Sequence, residues 1–195
     1  IFWSNHPDYA VNPCSEISLF GGSFENGNVG GQFCNLCEIN ISLANTQEEL
    51  EEMVRVATLI GTLQATYVDF HYLNSDWKKN TKKEALLGIS FTGIADCDYK
   101  KFDLKKAAAV AVNTNEIWAN NLGIKKSARI TTTKPAGTSS LILGTSSGIH
   151  GRHAPFYIRR IRYNKDEPIA IYLQKFHPEI IEQDVFSSTT IVVSI

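Results

Sequence analysis

The sequence has little of several things. Methionine occurs once in 195 residues, as Met53, and the chain does not open on it. No apolar run approaches the ~20 residues needed to span a bilayer, which argues against a membrane-spanning helix and a membrane partner. Charge of neither sign is in excess: 19 Lys and Arg face 20 Asp and Glu, a formal charge of -1. That excludes a bulk electrostatic grip on nucleic acid or on an anionic membrane. Cysteine is scarce, four in all. A disulfide scaffold is therefore excluded, and reduced intracellular thiols are the expectation. The apolar start Ile1-Phe2-Trp3 lacks the basic segment and cleavage site of a signal peptide. Internal repeats and low-complexity linkers are also lacking. Both ends, Ile1-Phe2-Trp3 and Ile191-Val192-Val193-Ser194-Ile195, are apolar where natural termini tend to be polar and frayed. We read the chain as an internal piece of a longer protein.

What is present is the composition of a soluble globular domain, 43% hydrophobic and 20% charged. Pro7 and Pro13 break any helix in the first twenty residues. The loop 21–31, GGSFENGNVGG, holds five of the 13 glycines and reads as a flexible surface hairpin. The spacing predicts a long helix from Thr46 to Tyr72. It opens with the capping box Thr46-x-x-Glu49, and its buried face is Leu50, Met53, Val54, Ala57, Ile60, Gly61, Gln64 and Val68. Lys78, Lys79, Lys82 and Lys83 read as a solvated polar stretch. A strand is expected at 86–91, a helix from Asp103 to Leu122 with Gly123 as its cap, and strands at 128–133, 157–163 and 189–195. Short helices are expected at 139–143 and, opened by proline, at 168–176. Strands alternating with helices predict an α/β fold with largely parallel strands.

Cys34-x-x-Cys37 has the spacing of half a zinc site. No second pair follows, and His150 and His153 are ligand candidates only in principle, so no metal site is expected. Cys97, in Ala95-Asp96-Cys97-Asp98, reads as a structural thiol.

Three stretches look chemical. In Asn12-Pro13-Cys14-Ser15-Glu16, an extended backbone would put Asn12, Cys14 and Glu16 on one face, joining a thiol, an amide and a carboxylate. The bland alternative is a turn with a buried cysteine. Residues 33–40, Phe-Cys-Asn-Leu-Cys-Glu-Ile-Asn, would bring a second thiol near the first, and two thiols permit two-electron redox chemistry. In Lys134-Pro135-Ala136-Gly137-Thr138-Ser139-Ser140, Gly137 allows close backbone approach. The helix start then aims free N–H groups at an anion, with the hydroxyls of Thr138, Ser139 and Ser140 as further donors. An ordinary capped helix start is the alternative.

Together these stretches, with Gly144-Thr145-Ser146-Ser147-Gly148-Ile149-His150, resemble the catalytic barrel of a ribonucleotide reductase large chain. The resemblance runs from Asn12 to the C-terminus. The Pro-x-Gly-Thr turn, the Ser-Gly-Ile-His stretch and residues 157–162, Tyr-Ile-Arg-Arg-Ile-Arg, look most like the adenosylcobalamin-dependent type, the monomeric triphosphate reductases in particular. The iron-dependent type usually carries Ser-Glu-Thr in the phosphate turn, and the glycyl-radical type lacks the pairing of carboxylate and thiol.

The resemblance implies part of a ten-stranded α/β barrel, with Cys14 on a central loop as the radical cysteine and residues 1–195 a fragment of that catalytic domain. It implies reduction of ribonucleotides to 2′-deoxyribonucleotides for DNA precursors. In that scheme a Cys14 thiyl radical takes the 3′-hydrogen, Glu16 is the general base, and Asn12 holds the ribose hydroxyls or Glu16. Cys34 is one member of the reducing pair, and Cys37 is left without a redox role. The substrate phosphates would rest on Pro135, Ala136, Gly137, Thr138, Ser139 and Ser140. The implied cofactor is adenosylcobalamin, the reductant thioredoxin or a similar thiol, and the location cytoplasmic, or the host cytoplasm if the source is viral. The partner thiol of Cys34, the C-terminal shuttle cysteines and an allosteric specificity region are not visible in these 195 residues. Isolated, the piece is expected to be inactive and poorly folded, because an incomplete barrel leaves strand edges open. Competing readings are a phosphate-binding module without redox chemistry, an iron-dependent reductase chain, and a zinc-stabilised structural domain. His150, Arg152 and His153 read as a polar surface loop, and Arg159, Arg160 and Arg162 as alternating across a strand.

Overall fold

The computed structural model describes residues 9–22 and 30–195. They fall into two compact units that divide after Arg152. Most of the predicted hairpin at 21–31 lies outside the described residues.

The first unit opens with a small antiparallel pair, β1 (Tyr9–Val11) and β2 (Ser18–Phe20). Its centre is a βαβ arrangement. Strand β3 (Asn35–Asn40) is followed by helix α1 (Gln47–Gln64), helix α2 (Ser75–Glu84) and strand β4 (Leu87–Thr92), which pairs parallel with β3. Helix α3 (Leu104–Leu122) follows, and the chain then returns beside β4, bridged in parallel at Ile89 and Thr131. Helices α1 and α2 together, and then α3, thus carry the chain to the next parallel position, the connection that parallel strands require.

The reasons for α1 are local. Thr46 accepts a hydrogen bond from the Glu49 backbone N–H, and Glu49 reaches back to the N–H of Asn45. Leu50, Val54, Ala57 and Gly61 are buried, as the spacing predicts, and each large apolar side chain so covered contributes roughly 1.5–3 kcal/mol. Gly61 permits close packing: a Cβ there would sit 3.3 Å from Ile89 and 3.6 Å from Cys37 Sγ. Ile60 and Gln64 are exposed, contrary to the prediction, while Glu51, Thr58 and Thr62 are buried. Two of these polar groups meet α3, where Asn115 donates to Thr62 Oγ1 at 3.0 Å and Lys106 pairs with Glu51 at 2.7 Å.

Several expectations are corrected. Helix α1 stops at Gln64 rather than Tyr72. Beyond it the sequence turns β-branched and aromatic, which costs helix propensity, and Thr66 Oγ1 donates to the carbonyl of Leu63. The lysine-rich stretch is helical, not merely solvated: Asn74 caps α2, Asp76 lies in its first turn and Lys82 and Lys83 in its last, matching the helix dipole. Its buried residues are Asp76, Asn80 and Thr81, so no apolar periodicity announced it. Asn80 ties α2 to the end of β2 through the carbonyl of Gly21, at 3.2 Å. Residues 128–133 are extended beside β4 but form only the single bridge. Among the described residues, parallel pairing is confined to β3, β4 and that bridge.

The remaining elements of the first unit are helix α4 (Thr138–Leu143) and the loop 144–152. The second unit comprises β5 (Arg160–Asn164), α5 (Pro168–Phe176), β6 (Ile181–Gln183) and β7 (Thr190–Ser194). Its sheet is antiparallel in the order β5-β7-β6, around a core of Ala170, Ile191 and Val193. Arg160 and Arg162 share the exposed face of β5, which alternation allows two residues apart, and they pair with Glu182 and Asp184.

Candidate active site

Residues 12–17 form a tight turn, not an extended strand. The Ser15 N–H donates to the Asn12 carbonyl at 2.8 Å, with Pro13 at the second position where its fixed φ suits a β-turn. Ser15 takes φ +63°, a left-handed value uncommon outside glycine. The Asn12 side-chain oxygen accepts from the Ile17 N–H at 3.0 Å and closes the turn. Cys14 is therefore exposed near the tip, neither buried nor sharing a pleated face with Asn12 and Glu16. No hydrogen bond joins Asn12 to Glu16 among the described residues. Both Glu16 carboxylate oxygens are buried without a hydrogen-bond partner. A buried polar atom without a partner costs free energy, and such atoms recur where a ligand completes the site.

Three elements hold this turn and the second thiol together. Thr132 Oγ1 donates to the Glu16 carbonyl at 3.1 Å. A Cβ on Gly88 of β4 would stand 3.1 Å from Cys34 Sγ and 3.2 Å from Thr132 Cγ2. Glycine there lets the thiol and the threonine close over the strand. Burial pushes the Cys34 thiol up to about 12, the nearby Glu16 and Cys37 add to the rise, and Arg129 opposes it. Glu16 and Cys34 are thus electrostatic neighbours. Arg129 is itself held by Glu84 at 3.0 Å and lies against the Tyr9 ring.

Cys37 occupies the other face of β3, three residues on, in the alternation of a pleated strand. It faces α1, with its Sγ 3.5 Å from Gln64 Oε1, and burial raises its thiol pKa. Cys97 is likewise raised by burial. Among the described residues no group of three or more His, Cys, Asp or Glu side chains is placed to hold a metal.

The turn at 134–140 lies against β3 and β4, tied to Glu38 of one and Ser90 of the other. The Lys134 N–H donates to Ser90 Oγ at 2.9 Å, and Ser147 Oγ donates to the Ala136 carbonyl at 2.6 Å. Gly148, at φ +57°, lies so close under Lys134 that a Cβ would come within 2.4 Å of its carbonyl oxygen. Gly137 and Thr138 are exposed at the start of α4. The expected row of three free hydroxyl donors is not there. Ser140 donates to the Gly137 carbonyl at 2.7 Å, and Ser139 donates to the Glu38 carboxylate. Thr138 Oγ1 and the first N–H groups of α4 remain for an anion. His150, Arg152 and His153 are exposed, and Arg152 ties its loop to Asp96 at 3.6 Å and to the Gly144 carbonyl at 3.1 Å.

Sequence reasoning missed Thr132, Gly88, Arg129 and Glu38. Glu38 left a signal: an acidic residue in period two with Cys34 and Leu36 on a strand is out of place on a buried face. An apolar cavity of about 520 Å³ beside β4 and α3 is lined by Ile89, Phe91, Tyr99 and Ala107 and by residues 131–133. Neither Cys14, Glu16 nor Cys34 lines it.

No family model matches the chain. In fold the chain is similar to the crystal structure of a B-12-dependent (class II) ribonucleotide reductase, with a TM-score of 0.65 and 23% identity over 96% of this chain and 29% of that one. Curated relatives are more specific. The chain is 28% identical, over 97% of its length, to the adenosylcobalamin-dependent ribonucleoside-triphosphate reductase of Lacticaseibacillus paracasei. It is 30% identical, over 94% of its length, to the enzyme of the same name from Levilactobacillus brevis. It spans 28% and 27% of the lengths of these two relatives. The resemblance carried by the three motifs therefore holds along nearly the whole chain, and to the adenosylcobalamin-dependent type.

Proposed function

We propose that this chain carries the reaction centre of an adenosylcobalamin-dependent ribonucleoside-triphosphate reductase, an oxidoreductase that makes 2′-deoxyribonucleotides. The observation that carries the reading is the buried, unpartnered pair of oxygens of the Glu16 carboxylate, near the exposed Cys14 in sequence and an electrostatic neighbour of the half-buried Cys34. A phosphate-binding module without redox chemistry would have no use for an unpartnered carboxylate that neighbours a thiol electrostatically. In this reading β3, β4 and residues 129–132 are neighbouring parallel strands of a ten-stranded barrel, and the turn 12–17 is its central loop. The exposure of Cys14 suits a radical initiator that must reach the sulfur from outside. Adenosylcobalamin, when bound, supplies the radical that oxidises Cys14 to the thiyl.

The chain's own residues then act in order. The Cys14 thiyl takes the 3′-hydrogen atom of the ribose, becoming a thiol and leaving the radical on C3′. Glu16 accepts the 3′-hydroxyl proton as general base, its oxygens having no protein partner to displace. The 2′-hydroxyl takes up a proton from the reducing thiols and leaves as water. Counting that proton, Cys34 and a partner thiol supply two electrons and two protons and end as a disulfide, while Glu16 returns its proton to the 3′-oxygen. Cys14 returns its hydrogen atom to C3′ and is a thiyl again. A neutral Cys34 thiol suits this step, because it gives up hydrogen rather than attacking as a thiolate. Asn12 shapes the turn that presents Cys14, and its free amide N–H₂ faces the ribose hydroxyls. The phosphates rest on the backbone from Pro135 to Ser140, with Thr138 Oγ1 as the side-chain donor, a preorganised anchor. A dithiol reductant of the thioredoxin type reduces that disulfide back to the thiol pair, itself becoming a disulfide, and the working location is the cytoplasm.

The test is made in the whole protein. Cys14→Ala and Glu16→Gln are each expected to abolish reduction while ribonucleoside triphosphate still binds. Retained turnover in either variant overturns the assignment. Reduction supported by adenosylcobalamin alone is expected; a requirement for a separate iron or manganese radical subunit overturns the cofactor.

A further inference from the structure

We propose that Glu38 is a positioning residue for the substrate-phosphate seat, acting through Ser139. The inference rests on the reading of the turn 134–140 as that seat, and it goes beyond it by naming what holds the turn in place. Glu38 lies on β3, four residues after Cys34 and on the same face of the pleat. Its Oε2 accepts the hydroxyl hydrogen of Ser139, from a residue 101 positions further along the chain. The other oxygen, Oε1, is buried with no partner. Opposite Glu38 across the parallel pair, Ser90 receives the Lys134 N–H. The two ends of the turn are therefore pinned to adjacent residues of two neighbouring strands, Lys134 to β4 and Ser139 to β3.

Two consequences follow. A carboxylate near a phosphate seat is unfavourable by charge alone, so its presence calls for a compensating use, and orienting Ser139 is the use the geometry shows. With its hydrogen given to Glu38, Ser139 meets an anion through its backbone N–H and not through its hydroxyl. The strand also becomes a spacer. Cys34 and Glu38 are separated by four residues of extended chain, about 13 Å at the usual rise. The same rigid element thus sets both the reducing thiol and the phosphate turn.

The test uses the whole protein, with equilibrium binding of a ribonucleoside triphosphate measured beside steady-state kinetics. Glu38→Ala is expected to weaken triphosphate binding and raise KM about tenfold, with kcat changed much less, the pattern of lost uniform binding. Affinity for the nucleoside without phosphates is expected to stay as it was, which general unfolding would not allow. Glu38→Gln, whose amide oxygen still accepts from Ser139, is expected to restore KM. Ser139→Ala is expected to match Glu38→Ala, and the double variant to be no worse than either single one. Additive losses would mean that Ser139 touches phosphate directly and would overturn the proposal, as would a Glu38→Ala variant that binds triphosphate normally. If the wild-type protein binds triphosphate and turns over while these variants behave like it, Glu38 alone is refuted. A wild-type protein that binds no triphosphate overturns both this inference and the reading beneath it.

Discussion

The hydroxyl of Thr132 donates to the backbone carbonyl of Glu16 at 3.1 Å, joining the cysteine-bearing turn to the extended chain that follows α3. The bond spans 116 residues and is the hydrogen bond that fixes the turn 12–17 to the parallel strands. Thr132→Val keeps the shape and removes the donor. It is expected to cost about 1 kcal/mol of stability. Turnover is expected to fall further, by about tenfold, because catalytic groups lose rate quickly when misplaced. A thermal melt beside kcat at saturating triphosphate checks this, and unchanged turnover would refute it.

Cys34 offers a pH test. Its thiol is raised from an ordinary 9.0 to about 12, chiefly by burial, with help from Glu16. The folded state therefore holds this proton more tightly than the unfolded one. The corresponding stability is fully present below pH 9 and is lost as pH rises toward 12. Denaturation curves are expected to steepen in that window for the wild type and to flatten for Cys34→Ala. Alkylation of Cys34 is expected to be slow at pH 8. Glu16→Gln, which removes the negative neighbour, should speed it, and Arg129→Met, which removes the positive one, should slow it.

Gly88 is predicted to be the residue least tolerant of a methyl group in β4. A Cβ there would meet Leu36 Cδ2 at 2.4 Å as well as Cys34 and Thr132. The leucine end can swing aside, but the thiol and the threonine are fixed by the strands that carry them. Gly88→Ala is expected to cost about 1–3 kcal/mol by overpacking and to displace Cys34. A variant with wild-type melting and wild-type Cys34 alkylation would remove Gly88 from this role.

Much of the fold was legible because it rests on local chemistry. Thr46 and Glu49 open α1 and Asp103 and Gly123 bound α3, each by a cap that neighbouring residues reveal, and Pro168 opens α5 from its first helical position. Helix α2 was not legible because it buries asparagine, aspartate and threonine, which hydrophobic periodicity cannot see. The end of α1 was missed for the opposite reason: Val68 continues its pattern, but the backbone had already turned at Thr66. The site was legible as residue types and not as geometry. The turn around Cys14 depends on Ser15 adopting a left-handed backbone, which no residue type there demands. The use of the Ser139 and Ser140 hydroxyls depends on Glu38, distant in sequence, and on the Gly137 carbonyl.

Thr92 gives the last prediction. It is fully buried at the end of β4, where Oγ1 donates to the Ser146 carbonyl at 2.9 Å and accepts from the Gly148 N–H at 3.0 Å. Those bonds hold the loop 144–148 against the turn 134–140, which it supports through Ser147 and the close approach of Gly148 to Lys134. Thr92→Val has nearly the same volume, so packing is preserved while a buried donor and a buried acceptor lose their partner. A loss of about 1–3 kcal/mol follows from those unsatisfied groups. Because the disturbance reaches the turn, the KM for triphosphate should rise with it. Thr92→Ser keeps the hydroxyl and removes only a methyl, so it is expected to retain the loop and the KM at a cost of about 1 kcal/mol. Should the valine and serine variants prove equally stable, the hydroxyl would not be what anchors the loop.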